Sequence, residues 1–260
     1  MIKEKTVSLK RQMWELEEIS DRVNLMKDWY KDETCYIVTA GPSLKNFEKE
    51  WLRERLKNNL VFTIKQSYFI LEDVSDFHIV NFTNFQPYDY GTNDKTIVAW
   101  EVFETYHPQM ILENNFNVDL MLPVVRNHGG FENTQAAKFD FDDFTLDKTL
   151  NRAWGPGMMY EMALPIAIHL GVKEIVTVGW DIGDLSKFSG KENKEEQWQD
   201  HFYEGSDKIQ YAKTPMLYEE VGMVINAVPF IKNWLGEKGI DFKICSDRNP
   251  ADDSIERVEL

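Results

Sequence analysis

The chain has 260 residues, with 29 Lys and Arg against 44 Asp and Glu, a formal charge of −15. Its 43% hydrophobic and 28% charged residues supply enough apolar material for a core, which excludes a disordered chain, and the length suits one large domain, with or without a lid. So acidic a surface repels phosphate backbones, and no run of Lys or Arg offsets it, so no nucleic acid is expected as a partner and any anionic ligand needs a local pocket of positive potential.

Charge recurs at nearly every turn of the first thirty residues, and no apolar run approaches the roughly 18 to 20 residues of a membrane span. Neither a signal peptide nor a transmembrane segment is expected. The two cysteines, Cys35 and Cys245, each lie in a strand-like apolar run, the pattern of reduced, buried thiols in a cytoplasmic protein.

In chain order, Met13, Leu16, Ile19, Val23, Met26, Trp29 and Tyr30 recur at spacings of mostly three and four. They predict one amphipathic helix over 9 to 31, inside an N-terminal unit of residues 1–33. The run Cys35 to Thr39, the turn Ala40-Gly-Pro-Ser-Leu44 and the helical spacing of Phe47, Trp51, Leu52 and Leu56 read as strand, tight turn, helix. Leu60 to Ile64, Phe77 to Val80 and Thr96 to Trp100 read as further strands. A helix opening after Gly155-Pro-Gly157 and capped by Gly171 runs into the strand ending at Gly179-Trp-Asp181. Residues 185 to 210 are polar and read as a mobile loop; 211 to 238 regain helical periodicity, and Phe242 to Cys245 is the last strand. Strands alternating with helices predict an α/β fold for residues 34–260: a single Rossmann-like domain, its mostly parallel sheet covered on both faces, with a lid-like loop.

In such sheets ligands bind beyond the carboxyl ends of the strands. Three segments qualify: Thr39 to Leu44, where Gly41 allows a close approach and Ser43 can cap the next helix, leaving N–H groups for a phosphate; Lys65-Gln66; and Gly179 to Asp184. The first is neither a Walker loop nor G-x-G-x-x-G, and it reads equally as a plain strand-to-helix turn.

Ala-Gly-Pro-Ser-Leu after the first strand, Val61 to Gln66 with Tyr68-Phe69, and the block Gly157 to Asp181 together resemble the bacterial sialyltransferases of glycosyltransferase family 42. They are similar as well to the motility-accessory-factor proteins thought to glycosylate flagellin with nonulosonic acids. The resemblance spans about residues 35 to 247. It implies transfer of an acidic sugar from a CMP-linked donor to a glycan or protein acceptor, with no metal or other cofactor. It places the nucleotide on Thr39, Gly41, Ser43, Lys65, Gln66, Asn81, Asn84, Gly155, Gly157 and Asp181. Catalysis would fall to His201 as the base, with Tyr203 and Tyr211 meeting the leaving phosphate, and Lys65, Arg152, Lys208 and Lys213 are the nearest cations. A homo-oligomer is compatible with the sequence.

The ordinary pKa of histidine, about 6.5, suits proton abstraction at neutral pH, so His201 fits the role of base; it reads equally as a solvated loop histidine. His128 is the second choice, while His78 and His169 read as packing residues. Asp140-x-Asp142 has the spacing of a Mn or Mg site under a nucleotide diphosphate and reads also as a solvated acidic turn. Two other readings stay open. Gly-Pro-Ser-Leu with Gly-x-Asp also resembles archaeal hydroxymethylpterin pyrophosphokinases, which implies Mg on Asp181 and Asp184. A non-catalytic partner-binding protein, using the N-terminal helix as its contact face, is the third.

Overall fold

The computed structural model describes residues 1–81, 94–103, 118–125, 140–153, 159–181, 218–246, 249 and 254–260. Its helices are α1 (Ile2–Trp14), α2 (Ile19–Met26), α3 (Lys49–Leu56), α4 (Tyr68–Leu71), α5 (Leu164–His169) and α6 (Tyr218–Glu237). The strands are β1 (Thr34–Val38), β2 (Leu60–Ile64), β3 (Phe77–Asn81), β4 (Ile97–Phe103), β5 (Leu120–Val125), β6 (Arg152–Ala153), β7 (Glu174–Val178), β8 (Asp241–Cys245) and β9 (Glu256–Arg257). They form one sheet in the order β6-β5-β4-β3-β2-β1-β7-β8-β9, and every pairing is parallel. This is the expected α/β Rossmann-like architecture.

The alternation of side chains along the central strands explains why they read as unbroken apolar runs. On β1, Cys35 and Ile37 join one core layer, while Tyr36 and Val38 face the other. On β8, Phe242 and Ile244 point one way and Cys245 the other. The first layer packs under α1, α2, α5 and α6; the second packs under α3 and α4. Cys35 and Cys245 are both buried and carry no disulfide among the described residues, and burial pushes the Cys35 thiol well up. No helix among the described residues is long and apolar enough to cross a membrane.

The N-terminal segment departs from the single helix expected over 9 to 31. It is two helices, interrupted at Glu15-Leu-Glu-Glu18, and the first begins at Ile2. Arg22 Nε donates to the Leu16 carbonyl (2.9 Å) inside that break, and its Nη1 donates to the Asp119 carbonyl (2.8 Å). A long-range contact thus fixes the reversal, which hydrophobic spacing does not register.

α1 lies across the amino ends of the strands, held by two buried aspartates. Asp76, just before β3, exchanges hydrogen bonds with Val61 of β2: its N–H donates to the Val61 carbonyl (2.8 Å) and Val61 N–H donates to its carboxylate (2.9 Å). Asp119, just before β5, does the same with Val98 of β4 (3.0 and 2.7 Å). Lys3 and Thr6 of α1 donate to Asp76; Lys10 (3.0 Å) and Trp14 donate to Asp119. The spacing fits: seven helical residues rise about 10.5 Å, and strands two apart in a sheet are about 9.6 Å apart.

Candidate functional site

β1 and β7 are neighbours, with Val38 beside Val178, and the chain leaves them in opposite directions, to β2 on one side and β8 on the other. This is the topological switch point of the sheet, where the connections diverge and leave a crevice at the carboxyl ends. The Thr39–Leu44 and Gly179–Asp181 segments, 140 residues apart, meet there. Thr39 N–H donates to the Val178 carbonyl (2.9 Å) and Gly41 N–H to the Gly179 carbonyl (3.0 Å); the Thr39 hydroxyl donates to the Gly179 carbonyl as well.

Asp181 closes this meeting into a clasp. One carboxylate oxygen accepts Ser43 N–H (2.6 Å), and the other accepts the Ser246 hydroxyl, which follows β8. Of the two expectations for the first loop, the helix cap at Ser43 is corrected, and Gly41 has a reason within the chain to be glycine. Gly41 is required by the approach of the chain to itself: a Cβ there would stand 2.1 Å from the Gly179 carbonyl oxygen and 2.6 Å from Asp181 Oδ2. Ser43 does not cap a helix, because it lies inside the 3-10 turn Pro42–Asn46, whose N-cap is Gly41. Its N–H is bonded to Asp181 and that of Leu44 to the Gly41 carbonyl (3.1 Å). A carboxylate of the chain thus stands where a phosphate on the Ser43 amide was expected. The Ser43 hydroxyl is buried and has no hydrogen-bond partner among the described residues; a buried polar group left unpaired costs about 1–3 kcal/mol. Gly179 has φ +69, which puts the tight turn after β7 in the left-handed region glycine tolerates.

On the β2 side of the clasp, Lys65 is a non-glycine residue with φ +53, a conformation that needs support. His78, in the middle of β3 and fully buried, gives it: its Nε2 lies 3.0 Å from the Lys65 carbonyl oxygen, so that nitrogen carries the proton. The imidazole stacks on Tyr68 at 4.4 Å, and burial depresses its pKa to about 3, which keeps it neutral. Ser67 ties this turn to β1 by donating to the Val38 carbonyl (2.7 Å). Gln66 is buried beside it, and Asn81 ends β3 at the same edge of the sheet.

On the β8 side the clasp borders a cleft of about 830 Å³. Its walls are Ser43, Asn46 and Phe47 from the first loop, Ser246 and Asn249 after β8, and the C-terminal residues from Arg257 onward. Asn249 Nδ2 donates to the Trp180 carbonyl (2.7 Å), which holds that wall against the β7 loop. The sequence reading missed this cleft, because its walls come from three segments that no motif links.

Other predicted residues fall elsewhere. Arg152 is fully buried and its guanidinium donates to the carbonyls of Phe144, Thr149 and Leu150; desolvation lowers its pKa to about 10. It caps the turn before β6, so among the cations nearest the site loops in sequence it serves as a structural one. Asp140 accepts Asp142 N–H (3.0 Å), and Asp142 accepts Lys238 (2.6 Å) and Trp234 Nε1 (2.7 Å). Lys238 lies between α6 and the start of β8, so this pair sits toward the amino ends of the strands, away from the switch point. His169 is buried in the α5–α2 contact, donating to the Val23 carbonyl (2.7 Å), in keeping with a packing role. Asn84, His128, Gly155, Gly157, Asp184, His201, Tyr203, Lys208, Tyr211, Lys213 and the 185–210 loop lie outside the described residues.

Compared with known proteins, the chain matches no family model and no curated protein.

Proposed function

We propose that the chain is a glycosyltransferase that moves an acidic sugar of the nonulosonic type from a CMP-activated donor to a glycan or protein acceptor without a metal. In this reaction the acceptor oxygen forms a bond to the anomeric carbon, the bond from that carbon to the phosphate oxygen breaks, and CMP departs with its electron pair. The acceptor proton passes to a base, the role assigned to His201, with Tyr203 and Tyr211 at the leaving phosphate.

The observation that carries this reading is the convergence of Thr39–Leu44 and Gly179–Asp181 at the switch point, since these are the segments on which the resemblance to the sialyltransferases rests. The clasp refines it. With Asp181 already on the Ser43 amide, this loop suits the uncharged nucleoside, and the donor phosphate belongs on the β2 side, where Lys65 supplies positive charge. Gly155 and Gly157 would take the cytosine side.

Thermal shift with nucleotides in EDTA tests the proposal. Stabilisation by CMP is the expected result; stabilisation by UDP or GDP only with manganese, or by ATP only with magnesium, overturns it. The pyrophosphokinase reading is less well supported, because Asp181 is engaged by Ser43 and Ser246 and the Ser43 amide it would offer to ATP phosphates is bonded. The same closed amide favours the non-catalytic reading as the second choice. Absence of any nucleotide effect at millimolar concentration would decide for it.

A further inference from the structure

We infer that His78 is a positioning residue for a phosphate-bearing ligand. From the middle of β3 it holds the turn Lys65–Ser67 in the form that offers the Gln66 amide beyond the carboxyl end of β2. This is a single 3-10 turn whose first residue has φ +53. Among the described residues, positive φ falls otherwise on Gly171, Gly179 and Gly239 and on Asp28 and Asp32, types that tolerate it. Lys65 is the exception, and a strained residue of this kind persists only where its surroundings impose it. Two buried side chains do so, from opposite sides. The His78 imidazole donates to the Lys65 carbonyl from β3 (3.0 Å). Ser67 accepts the Ile64 N–H (2.9 Å) and donates to the Val38 carbonyl of β1 (2.7 Å). His78 lies beside Val98 of β4 and stacks on Tyr68, a setting in which an aliphatic side chain would bury without the loss of hydration that an imidazole suffers.

A second, independent observation comes from the residue the turn carries. Gln66 is 7% exposed, and its side-chain amide makes no hydrogen bond to the described residues. Nor does that amide belong to the unpaired side-chain atoms sealed from solvent, so a ligand can reach it. Side-chain amides so deeply placed are otherwise paired; this one keeps two N–H donors and a carbonyl acceptor for a partner. Its donors suit phosphate oxygens, and Lys65 brings positive charge on the same turn. The turn lies one strand from the clasp, since β2 neighbours β1 and Ser67 is bonded to the last residue of β1. His78 is itself fully buried and acts through the Lys65 carbonyl. The inference rests on the proposed function for the identity of the ligand, the CMP donor, and adds the residue that shapes its phosphate site; the positioning by His78 holds for any phosphate-bearing ligand of this turn.

Calorimetric titration of the full chain with CMP, AMP, inorganic phosphate and cytidine at neutral pH tests this. His78→Leu fills the space without an N–H, and is expected to weaken the phosphate-bearing ligand that the wild type binds roughly tenfold, while cytidine changes little. His78→Gln keeps an N–H for the Lys65 carbonyl and is expected to bind like the wild type, a rescue that a space-filling role does not produce. His78→Asn, one methylene shorter, takes the place of His78→Leu should that variant not fold. Gln66→Ala removes the unpaired amide, so Tm holds or rises while affinity for the same ligand falls roughly tenfold. Wild-type affinity in His78→Leu or in Gln66→Ala, or equal losses in His78→Leu and His78→Gln, overturns the inference and leaves the proposed donor standing where CMP binds. AMP or phosphate bound in place of CMP, and weakened in His78→Leu, overturns the proposed donor and keeps the inference. No binding of any probe to the wild type overturns both.

Discussion

At the amino ends of β3, β5 and β7 each acidic side chain meets a lysine from another element: Asp76 with Lys3, Asp119 with Lys10, and Glu174 with Lys243. At the carboxyl ends of β1 and β7 the buried acid, Asp181, instead accepts a backbone amide and a serine hydroxyl. The first edge joins distant segments, 109 residues apart in the case of Lys10 and Asp119, through charge pairs that satisfy buried oxygens. The second joins loops through contacts so close that they admit no Cβ at Gly41, and beside them lie an open cleft and a Ser43 hydroxyl with no partner among the described residues. Buried charge pairs gather where α1 crosses the sheet, and the clasp with its cleft lies at the far end of the same strands.

The largest effect expected on this division comes from Asp119→Ala. Lys10 has a side chain only 4% exposed, and removing its partner leaves a buried charge uncompensated, together with Val98 N–H and Trp14 Nε1. Breaking a buried pair from one side costs about 3–5 kcal/mol. Urea unfolding should show that loss, while the folded fraction keeps its response to nucleotide; a loss below about 1 kcal/mol would mean the pair does not hold α1.

Gly41→Ala attacks the other edge. The new methyl must displace Gly179 or Asp181, and overpacking of this kind costs about 1–3 kcal/mol. The expected signature is the reverse of Asp119→Ala: a moderate fall in Tm with complete loss of nucleotide stabilisation. A variant that retained both would show that the two loops can separate without consequence for the site.

His78 gives a pH test of the support under Lys65. Its folded pKa, about 3, lies below the ordinary value of about 6.5. The unfolded chain therefore takes the proton first as pH falls. Stability from this group is complete above about pH 6.5 and declines by about 1.4 kcal/mol per unit below it, toward the folded value. His78→Gln retains an N–H donor for the Lys65 carbonyl and removes the titration, so the slope of stability between pH 6 and 4 (roughly, from the two pKa values) should flatten by one proton. Equal slopes in the two proteins would place the imidazole in contact with water.

Much of the fold was legible because β1, β2, β3, β4, β7 and β8 are apolar runs bounded by turns. β5 was not: Pro123 interrupts it, and proline demotes a run to an edge or to no strand. The structure reconciles the two, since β6 meets β5 only at Val124 and Val125 and leaves β5 paired on one side at Pro123. β6 and β9, two residues each, carry no periodic signal at all. Of the candidate site, the sequence marked Gly41 and Asp181 separately as residues after strands. That they touch depends on β7 returning to the far side of β1, which no local pattern encodes. Lys10 shows the opposite failure: a lysine on a helix reads as a solvent residue, yet its stem runs along the apolar stripe to a buried carboxylate. The usable signal was an aspartate just before a strand, twice, opposite lysines seven apart on α1.

The smallest effect should come from Glu174, the third acid of the amino edge. It begins β7 and reaches both neighbours, accepting Thr34 Oγ1 of β1 (3.0 Å) and Lys243 Nζ of β8 (2.8 Å). The hydrogen bond from Lys243 is the first cause that holds its carboxyl below the ordinary value of 4.5. Because the folded pKa is depressed, the unfolded chain takes up the proton before the folded one does. The contribution is therefore present above about pH 4.5 and is lost as pH falls through the lowered folded value. Glu174 and Lys243 are each 22% exposed, so water screens the pair and its worth stays below about 1 kcal/mol. Unlike the Asp119 pair, it should also weaken when salt is raised, because surface charges are screened. Glu174→Gln should thus cost under about 1 kcal/mol at neutral pH and low salt, and its unfolding curve should merge with that of the wild type in acid. A penalty comparable to that of Asp119→Ala, or one that persists after protonation, would mean that Glu174 is held in β1 and β8 chiefly through its stem and the Thr34 hydroxyl, and that charge pairing at this edge is confined to the two aspartates under α1.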